Sequence, residues 1–269
     1  MLAAAVGTGD INISPKRIVF GPNGRGATVY VFNRGTAPAT YSIAVIDRAM
    51  MPDGRIEAID DANRSAAEAT VAARVKSAKT FVIFTPRRVT LQPNESQTIR
   101  LRALRPANLA SGEYRTHLTV TAIPPEDVGL TADEAVKPAA GQLAVRVVPV
   151  FSISIPLIVR QGAAEVRGAL EAPHFALERA PNSQQKVAVI SLELMRLGAS
   201  SVYGNIEVRR GDEVLGVVQG LAVYPEIAGR AVQIPLSRIP PSGTELRVVL
   251  VDDDTQPGVE LAKAVLTVP

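Results

Sequence analysis

Few residues of this chain have side chains that could do covalent or metal chemistry. Two of its 269 residues are histidine and none is cysteine, which removes disulfides, thiolate nucleophiles and cysteine metal sites together. His117 lies on an alternating stretch and His174 beside Pro173, and neither has a nearby second ligand or a nucleophile signature. The one carboxylate cluster, three aspartates at 252–254, is typical of a polar turn between strands. We therefore expect no enzyme activity, no metal and no cofactor.

The bulk composition predicts a globular protein of two domains. Its length exceeds what one sandwich usually needs, and 46% hydrophobic against 20% charged residues is enough apolar material for buried cores. The net charge of +3 is carried by Lys and Arg scattered along the chain, so we expect no nucleic-acid partner. No run approaches the ~20 apolar residues that span a bilayer, so we expect no membrane insertion. Residues 1–9 resemble the small-residue end of a signal peptide.

The elements that would position any functional residue are strands. Short β-rich stretches separated by Gly, Pro and Asn turns recur about every 8 to 15 residues, which is typical of a β-sandwich. The exception is the Ala-rich, charged segment 60–79, whose propensities favour a loop or a short helix. A second, smaller series of strands begins after residue 161.

One predicted strand, at 143–160, is far longer than the usual five or six residues. Its odd positions are apolar almost without a break, while its even positions include Arg146, Ser152 and Arg160. One face must therefore be buried along the whole length. For Ile155, Leu157 and Val159 we expect burial in the core of the first domain itself.

Four segments appear in the order and spacing of a known family. They are Ile13-Ser-Pro-Lys-Arg-Ile-Val-Phe, Thr85-Pro-Arg-Arg-Val-Thr-Leu, Gly112-Glu-Tyr-Arg-Thr-His-Leu, and the long strand that ends at Arg160. With these segments the chain resembles the periplasmic chaperones of the chaperone/usher pathway, well over 11–160 and beyond that only by size, strand count and the turn after Leu250. The resemblance implies an all-β fold of two immunoglobulin-like β-sandwich domains set at an angle, 10–160 and 161–269, in the periplasm.

The resemblance also implies a function. Such chaperones bind, fold and cap pilus or fimbrial subunits by donor-strand complementation and deliver them to an outer-membrane usher. The subunit lacks a strand, and an added strand satisfies its open backbone edges and fills its apolar groove. The donated residues would be Val145, Val147, Phe151 and Ile153. A homodimer that caps the free protein is left open.

Two charged sites follow from the same resemblance. A basic pair holds the subunit's terminal carboxylate, which suits bidentate Arg. Arg17 matches one member, but the other, normally Lys, falls on Pro156, so Lys16, Arg87 or Arg88 would substitute. A buried charge network between the domains would comprise Glu113, Arg160 and Asp253, with Asp252 as the fallback.

One alternative from a different class remains. A structural or adhesive immunoglobulin-like surface protein would also be all-β and free of catalytic residues. A fibre subunit, however, should carry its donor segment at the N-terminus and lack one strand, whereas here the donor-like strand lies between two complete strand series. We therefore favour the chaperone.

Overall fold

The computed structural model describes residues 10–60, 64–124, 150–179 and 185–269, and it confirms the predicted all-β architecture. One short helix, α1 (Ala66–Ala72), and a 3₁₀ turn, Lys79–Phe81, accompany the strands. The strands are β1 (Ile11–Ser14), β2 (Ile18–Phe20), β3 (Gly26–Asn33), β4 (Ala39–Ile46), β5 (Arg48–Met50), β6 (Ile56–Ala58), β7 (Val82–Thr85), β8 (Arg88–Leu91), β9 (Ser96–Ala103), β10 (Gly112–Ile123), β11 (Ser152–Gln161), β12 (Gly168–Arg179), β13 (Lys186–Arg196), β14 (Val202–Arg210), β15 (Glu213–Val223), β16 (Gly229–Pro235), β17 (Glu245–Asp252) and β18 (Glu260–Thr267).

The chain divides into two compact units, which do not follow one continuous boundary. The first unit comprises the described parts of Met1–Ile46, Ala78–Asn108 and Arg115–Val159. The second comprises those of Asp47–Ser77, Leu109–Tyr114 and Arg160–Pro269. Two segments that lie within the predicted range 10–160 therefore pack with the second unit.

The first unit is an immunoglobulin-like sandwich of two sheets. A four-stranded sheet has the order β1-β3-β9-β7 and a five-stranded sheet the order β2-β11-β10-β4-β8. Strands β1, β3 and β9 bury alternate residues, as the period of two requires, whereas the central strand β10 is buried at every residue from Arg115 to Val120. The largest fully buried side chains of this core include Phe20, Tyr41, Ile99 and Leu118.

Two segments of the first unit pass from one sheet to the other at a proline. β1 pairs with β3 in the four-stranded sheet, and after Pro15 the chain continues as β2 in the five-stranded sheet. β7 pairs with β9, and after Pro86 the chain continues as β8 beside β4. Proline has no N–H for a ladder, so it suits the point where pairing changes partner. A basic pair follows each proline, Lys16-Arg17 and Arg87-Arg88.

The second unit contains a three-stranded sheet, β12-β13-β16, and a four-stranded sheet, β15-β14-β17-β18. It also contains the hairpin β5-β6 and helix α1 from the segment Asp47–Ser77. The helix begins with a capping box, in which the side chains and backbones of Ser65 and Glu68 satisfy each other. Ala72 of the helix packs with Ala49 and Met51 of the hairpin in a small buried cluster.

The hairpin segment is held against the rest of the second unit by buried polar contacts. The Met50 amide donates a hydrogen bond to the Glu226 carboxylate at 2.7 Å, and both residues are buried. Gly54, in the turn of the hairpin, has φ +86°, and a Cβ there would lie 2.1 Å from Arg230 Nη2. The arginine therefore lies flat on the glycine, and only glycine fits both the backbone and the contact. Nowhere in the described ranges is a helix long and apolar enough to cross a membrane.

Candidate functional site

The apolar row on β11 changes from buried to exposed along one strand. Leu157 and Val159 are 0% exposed and Ile155 2%, so this end of the row belongs to the core of the first unit, as expected. Ile153 is half-buried. Phe151, two residues earlier on the same face, is 52% exposed. The apolar row is thus buried at the end of β11 and exposed to solvent just before its beginning.

The long edge of β11 is covered only in part. β11 lies between β2 and β10, and β2 pairs with it only from Leu157 to Val159. Among the strands that the structure describes, none pairs with this edge over Ser152 and Ser154. An edge of this kind exposes backbone N–H and C=O groups to which another strand can bind.

The contacts with β10 fix which backbone groups point to that edge. Ala122 donates its N–H to the Phe151 carbonyl at 2.9 Å, and the hydroxyls of Thr119 and Ser154 lie 2.7 Å apart. Both contacts fit one antiparallel register, in which the backbone groups of Ser152, Ser154 and residue 156 point away from β10. Residue 156 is proline, whose missing N–H would have pointed to the open edge, so it leaves the ladder to β10 intact.

The predicted donor residues are only partly within the described structure. Phe151 immediately precedes β11, and Ile153 is its second residue. Val145 and Val147 lie outside the described residues. Val150, next to Phe151, is also 56% exposed and was not singled out from the sequence, because it falls at an even position of the row.

The four candidate anchor residues are separated into two places. Arg17 immediately precedes β2, whose Ile18 is the register partner of Leu157, so Arg17 lies beside Pro156 at the open edge of β11. It is half-buried, and two of its guanidinium nitrogens are inaccessible to solvent. Arg88 begins β8, at the opposite edge of the five-stranded sheet. Four strand spacings separate the two edges, about 19 Å, so Arg17 and Arg88 lie at opposite ends of the sheet.

The other two basic residues have contacts of their own. Lys16 is exposed and its ammonium donates a hydrogen bond to the Asn12 side chain at 2.8 Å. The Arg87 guanidinium lies 5.4 Å from the centre of the Phe84 ring, within the range of a cation–π contact. Lys16 is therefore the candidate nearest to Arg17, and Arg87 and Arg88 belong to the other sheet-crossing segment.

A buried ionic cluster surrounds Arg160 in the second unit. Arg160 Nε lies 3.1 Å from Glu113 Oε2, and its Nη2 contacts Asp254 Oδ2. Glu113 also accepts hydrogen bonds from the amide, at 3.3 Å, and the hydroxyl of Ser201. The side chains of Arg160, Glu113 and Asp254 are 6%, 0% and 8% exposed. Each charge is thus paired, as burial requires.

The third member of this cluster is Asp254 and not Asp253. Asp252 is buried and uses its carboxylate to accept from Thr255 Oγ1 and the Gln256 amide, both at 2.6 Å. The Asp252 carboxylate is therefore engaged in hydrogen bonds within its own turn. Asp253 is exposed, and the next residue, Asp254, reaches Arg160. The prediction of Asp253, with Asp252 as fallback, was wrong by one position because the turn geometry decides which aspartate is directed inward.

The cluster also sets the protonation of its arginine. Burial alone would lower the pKa of Arg160, but its hydrogen bond to Asp254 and the charge of Glu113 outweigh burial, and the pKa is raised. Arg160 therefore stays charged at any physiological pH.

The two histidines belong to different units of the protein. His117 is buried on β10, and His174 is exposed on β12. In the part of the chain that is described, no group of three His, Cys, Asp or Glu side chains could hold a metal ion.

No family model matches this chain, and no curated protein does so. Solved structures do resemble it over nearly the whole length. The crystal structure of the E. coli chaperone DraB is 15% identical, with 97% of each chain covered and a TM-score of 0.46. The Salmonella enterica SafA pilin in complex with the SafB chaperone gives 15% identity, 98% and 99% coverage and a TM-score of 0.44.

A third such structure is the complex of the CsuC chaperone with the CsuE tip subunit, from archaic chaperone-usher Csu pili of Acinetobacter baumannii. It gives 14% identity, covers 96% of this chain and 98% of its own, and has a TM-score of 0.44. The solved structures that this chain resembles are thus pilus chaperones, at low sequence identity.

Proposed function

We propose that this protein is a periplasmic chaperone that binds, folds and caps pilus or fimbrial subunits by donor-strand complementation and delivers them to an outer-membrane usher. The observation that carries the proposal is the start of β11. There an apolar row emerges from the core, and the backbone edge of the same residues has no described strand beside it.

The exposed apolar row and the open backbone edge would each be costly without a partner. Val150 and Phe151 expose large apolar side chains to water, and the open edge invites pairing with any other strand. A subunit that lacks one strand would complement both features at once. Its apolar groove would receive the exposed side chains, and its open edge would form hydrogen bonds with the edge of β11. Val145, Val147, Phe151 and Ile153 would fill the groove.

Arg17 supports a carboxylate anchor for the subunit's C-terminus at the same edge. A guanidinium binds a carboxylate through two parallel hydrogen bonds, and Arg17 lies in register beside Pro156, within reach of a chain paired with β11. Lys16 is the second basic group there.

The test is co-purification of the protein with fibre subunits from periplasm, comparing wild type with Phe151→Asp. Val265→Asp is the matched control, because Val265 is 53% exposed and lies on β18, at the edge of its sheet in the second unit. We expect a one-to-one complex with wild type and with the control, and loss of the complex with Phe151→Asp while circular dichroism shows both variants folded.

The other outcomes separate the alternatives. If both variants keep the subunit, β11 is not the binding strand. If wild type brings down no subunit under any condition, the chaperone proposal fails and the adhesive surface protein takes its place.

A further inference from the structure

Positive charge is divided very unevenly between the two units. The described residues of the first unit include eleven Lys and Arg side chains but only two acidic ones, Asp10 and Glu95. Those of the second unit include sixteen basic and nineteen acidic side chains. The residues of 125–149, which also belong to the first unit, add four acidic and two basic side chains. The first unit thus keeps a surplus of positive charge that the net charge of +3 for the whole chain conceals.

This surplus of charge faces solvent. Six exposed arginines of the first unit form no ion pair with any residue in the described ranges: Arg25, Arg34, Arg87, Arg88, Arg100 and Arg102. Most exposed arginines of the second unit differ, since five of the seven contact a carboxylate: Arg55, Arg167, Arg210, Arg238 and Arg247. The other two, Arg74 and Arg179, form no ion pair with a described residue. The field of the second unit is thus largely cancelled locally, and that of the first is not.

These arginines are spread over the surface of the first unit and do not line a pocket. Arg100 and Arg102 lie on the outer face of β9, opposite Thr28 and Gly26 of β3, in the four-stranded sheet. Arg88 lies at the edge of the five-stranded sheet. Charges spread over both sheets do not converge on one small ligand, but together they attract an extended acidic surface over about a Debye length.

We infer that the partner of the first unit is an acidic protein, and that the charge of this unit accelerates its association. The inference rests on the proposed function and specifies its substrate class: the subunit should carry excess Asp and Glu. Electrostatic steering of this kind raises association rates by about 10 to 10³-fold and leaves dissociation nearly unchanged.

The first experiment measures association and dissociation rates with the subunit recovered by co-purification, at low and high salt. Arg100→Glu/Arg102→Glu reverses two charges on β9 of the four-stranded sheet, whereas β11 belongs to the five-stranded sheet. Arg179→Glu/Lys186→Glu makes the same change in the second unit, where these two exposed residues are register partners. We expect the first double variant to associate about 10-fold more slowly at low salt, with an unchanged dissociation rate, and the second to stay within about twofold of wild type.

The second experiment does not depend on the subunit. Binding of poly-L-glutamate at low salt should be strong for wild type and for the second-unit variant, and clearly weaker for Arg100→Glu/Arg102→Glu. Single-stranded DNA of equal charge is the parallel probe, and preferential binding to DNA over poly-L-glutamate would overturn the assignment of a protein partner.

The outcomes distinguish this inference from the proposed function. The inference is overturned if the association rate of wild type does not depend on salt, or if both double variants slow association equally. Neither result contradicts strand donation. If no complex forms, the proposed function fails, and equal poly-L-glutamate binding by the two double variants would overturn the charge assignment as well.

Discussion

At the scale of single residues, one of the three neighbouring aspartates at 252–254 belongs to the buried cluster around Arg160. Asp254 contacts the Arg160 guanidinium, whereas Asp253 is exposed. We predict that Asp254→Asn destabilises the protein by about 1.5–3 kcal/mol, the usual contribution of a hydrogen bond to a charged group. Asp253→Asn should change the free energy of unfolding by less than about 0.5 kcal/mol. Urea denaturation of the two variants measures both values, and a larger loss for Asp253→Asn would contradict the cluster.

The two candidate anchors give a second matched pair. Arg17 lies beside the open edge of β11 and Arg88 at the far edge of the same sheet. We expect Arg17→Ala to weaken subunit binding by about 10- to 100-fold, because a charge-assisted hydrogen bond to the subunit's carboxylate is lost. Arg88→Ala removes the same charge and should weaken binding less than threefold. Titration of the purified subunit provides the comparison, and equal effects would show that Arg17 acts only through its charge.

Sequence reasoning succeeded for residues whose position follows from the strand period and failed where a turn intervenes. Arg160 and Glu113 lie on regular strands, so their pairing could be inferred from order and resemblance. The choice among the aspartates depends on the side chain of Asp252, which accepts from Thr255 and Gln256. No periodicity encodes that contact. Arg87 and Arg88 had the right residue type but are placed at another edge by the path of β8.

At the scale of elements, we expect the hairpin β5-β6 to contribute to the stability of the second unit. The Gly54 turn lies against Arg230, and a Cβ there would meet its guanidinium. Gly211 also has positive φ, +58°, but nothing lies within 4 Å of the corresponding Cβ position. We predict that Gly211→Ala costs about 1 kcal/mol, for the backbone alone. Gly54→Ala should cost about 1–3 kcal/mol more, because the arginine must move.

An arginine substitution isolates that contact. In an Arg230→Ala background the guanidinium is gone, so Gly54→Ala should cost only what Gly211→Ala costs. Urea denaturation of the single and double variants gives the coupling free energy. Additive effects of the two substitutions would mean that the hairpin turn does not depend on Arg230.

The elements themselves were largely predictable. The alternation over 143–160 predicted the buried face of β11, since Leu157 and Val159 are fully buried. β11 itself spans Ser152–Gln161, and the part of the predicted strand before residue 150 lies outside the described residues. The Ala-rich segment contains the short helix that its propensities favour, begun by a capping box at Ser65. The sequence could not show that Pro156 lies at an open edge, because a proline within a strand is equally compatible with a bulge.

At the scale of the whole molecule, the sequence predicted two units but not their composition. A continuous boundary near residue 160 is the simplest inference from strand series. The structure instead assigns Asp47–Ser77 to the second unit, where Met50 and Glu226 are hydrogen-bonded across 176 positions of sequence. Strand periodicity does not encode the surface on which a hairpin packs, so this long-range contact has no local signal in the sequence.

The uneven charge of the two units predicts that salt affects their stability differently. In the first unit eleven basic and two acidic described side chains repel one another on balance, and repulsion between exposed charges destabilises a compact state. Raising the ionic strength from about 0.01 M to about 1 M shortens the Debye length from about 30 Å to about 3 Å. We therefore expect amide hydrogen exchange in β3 and β9 to slow several-fold at high salt, while β14 and β17 of the nearly balanced second unit change much less. Chloride and a second monovalent anion should act alike, since screening depends on ionic strength. If hydrogen exchange slows equally in both units, salt acts by strengthening the burial of apolar surface throughout the protein. The basic surplus of the first unit would then not destabilise it.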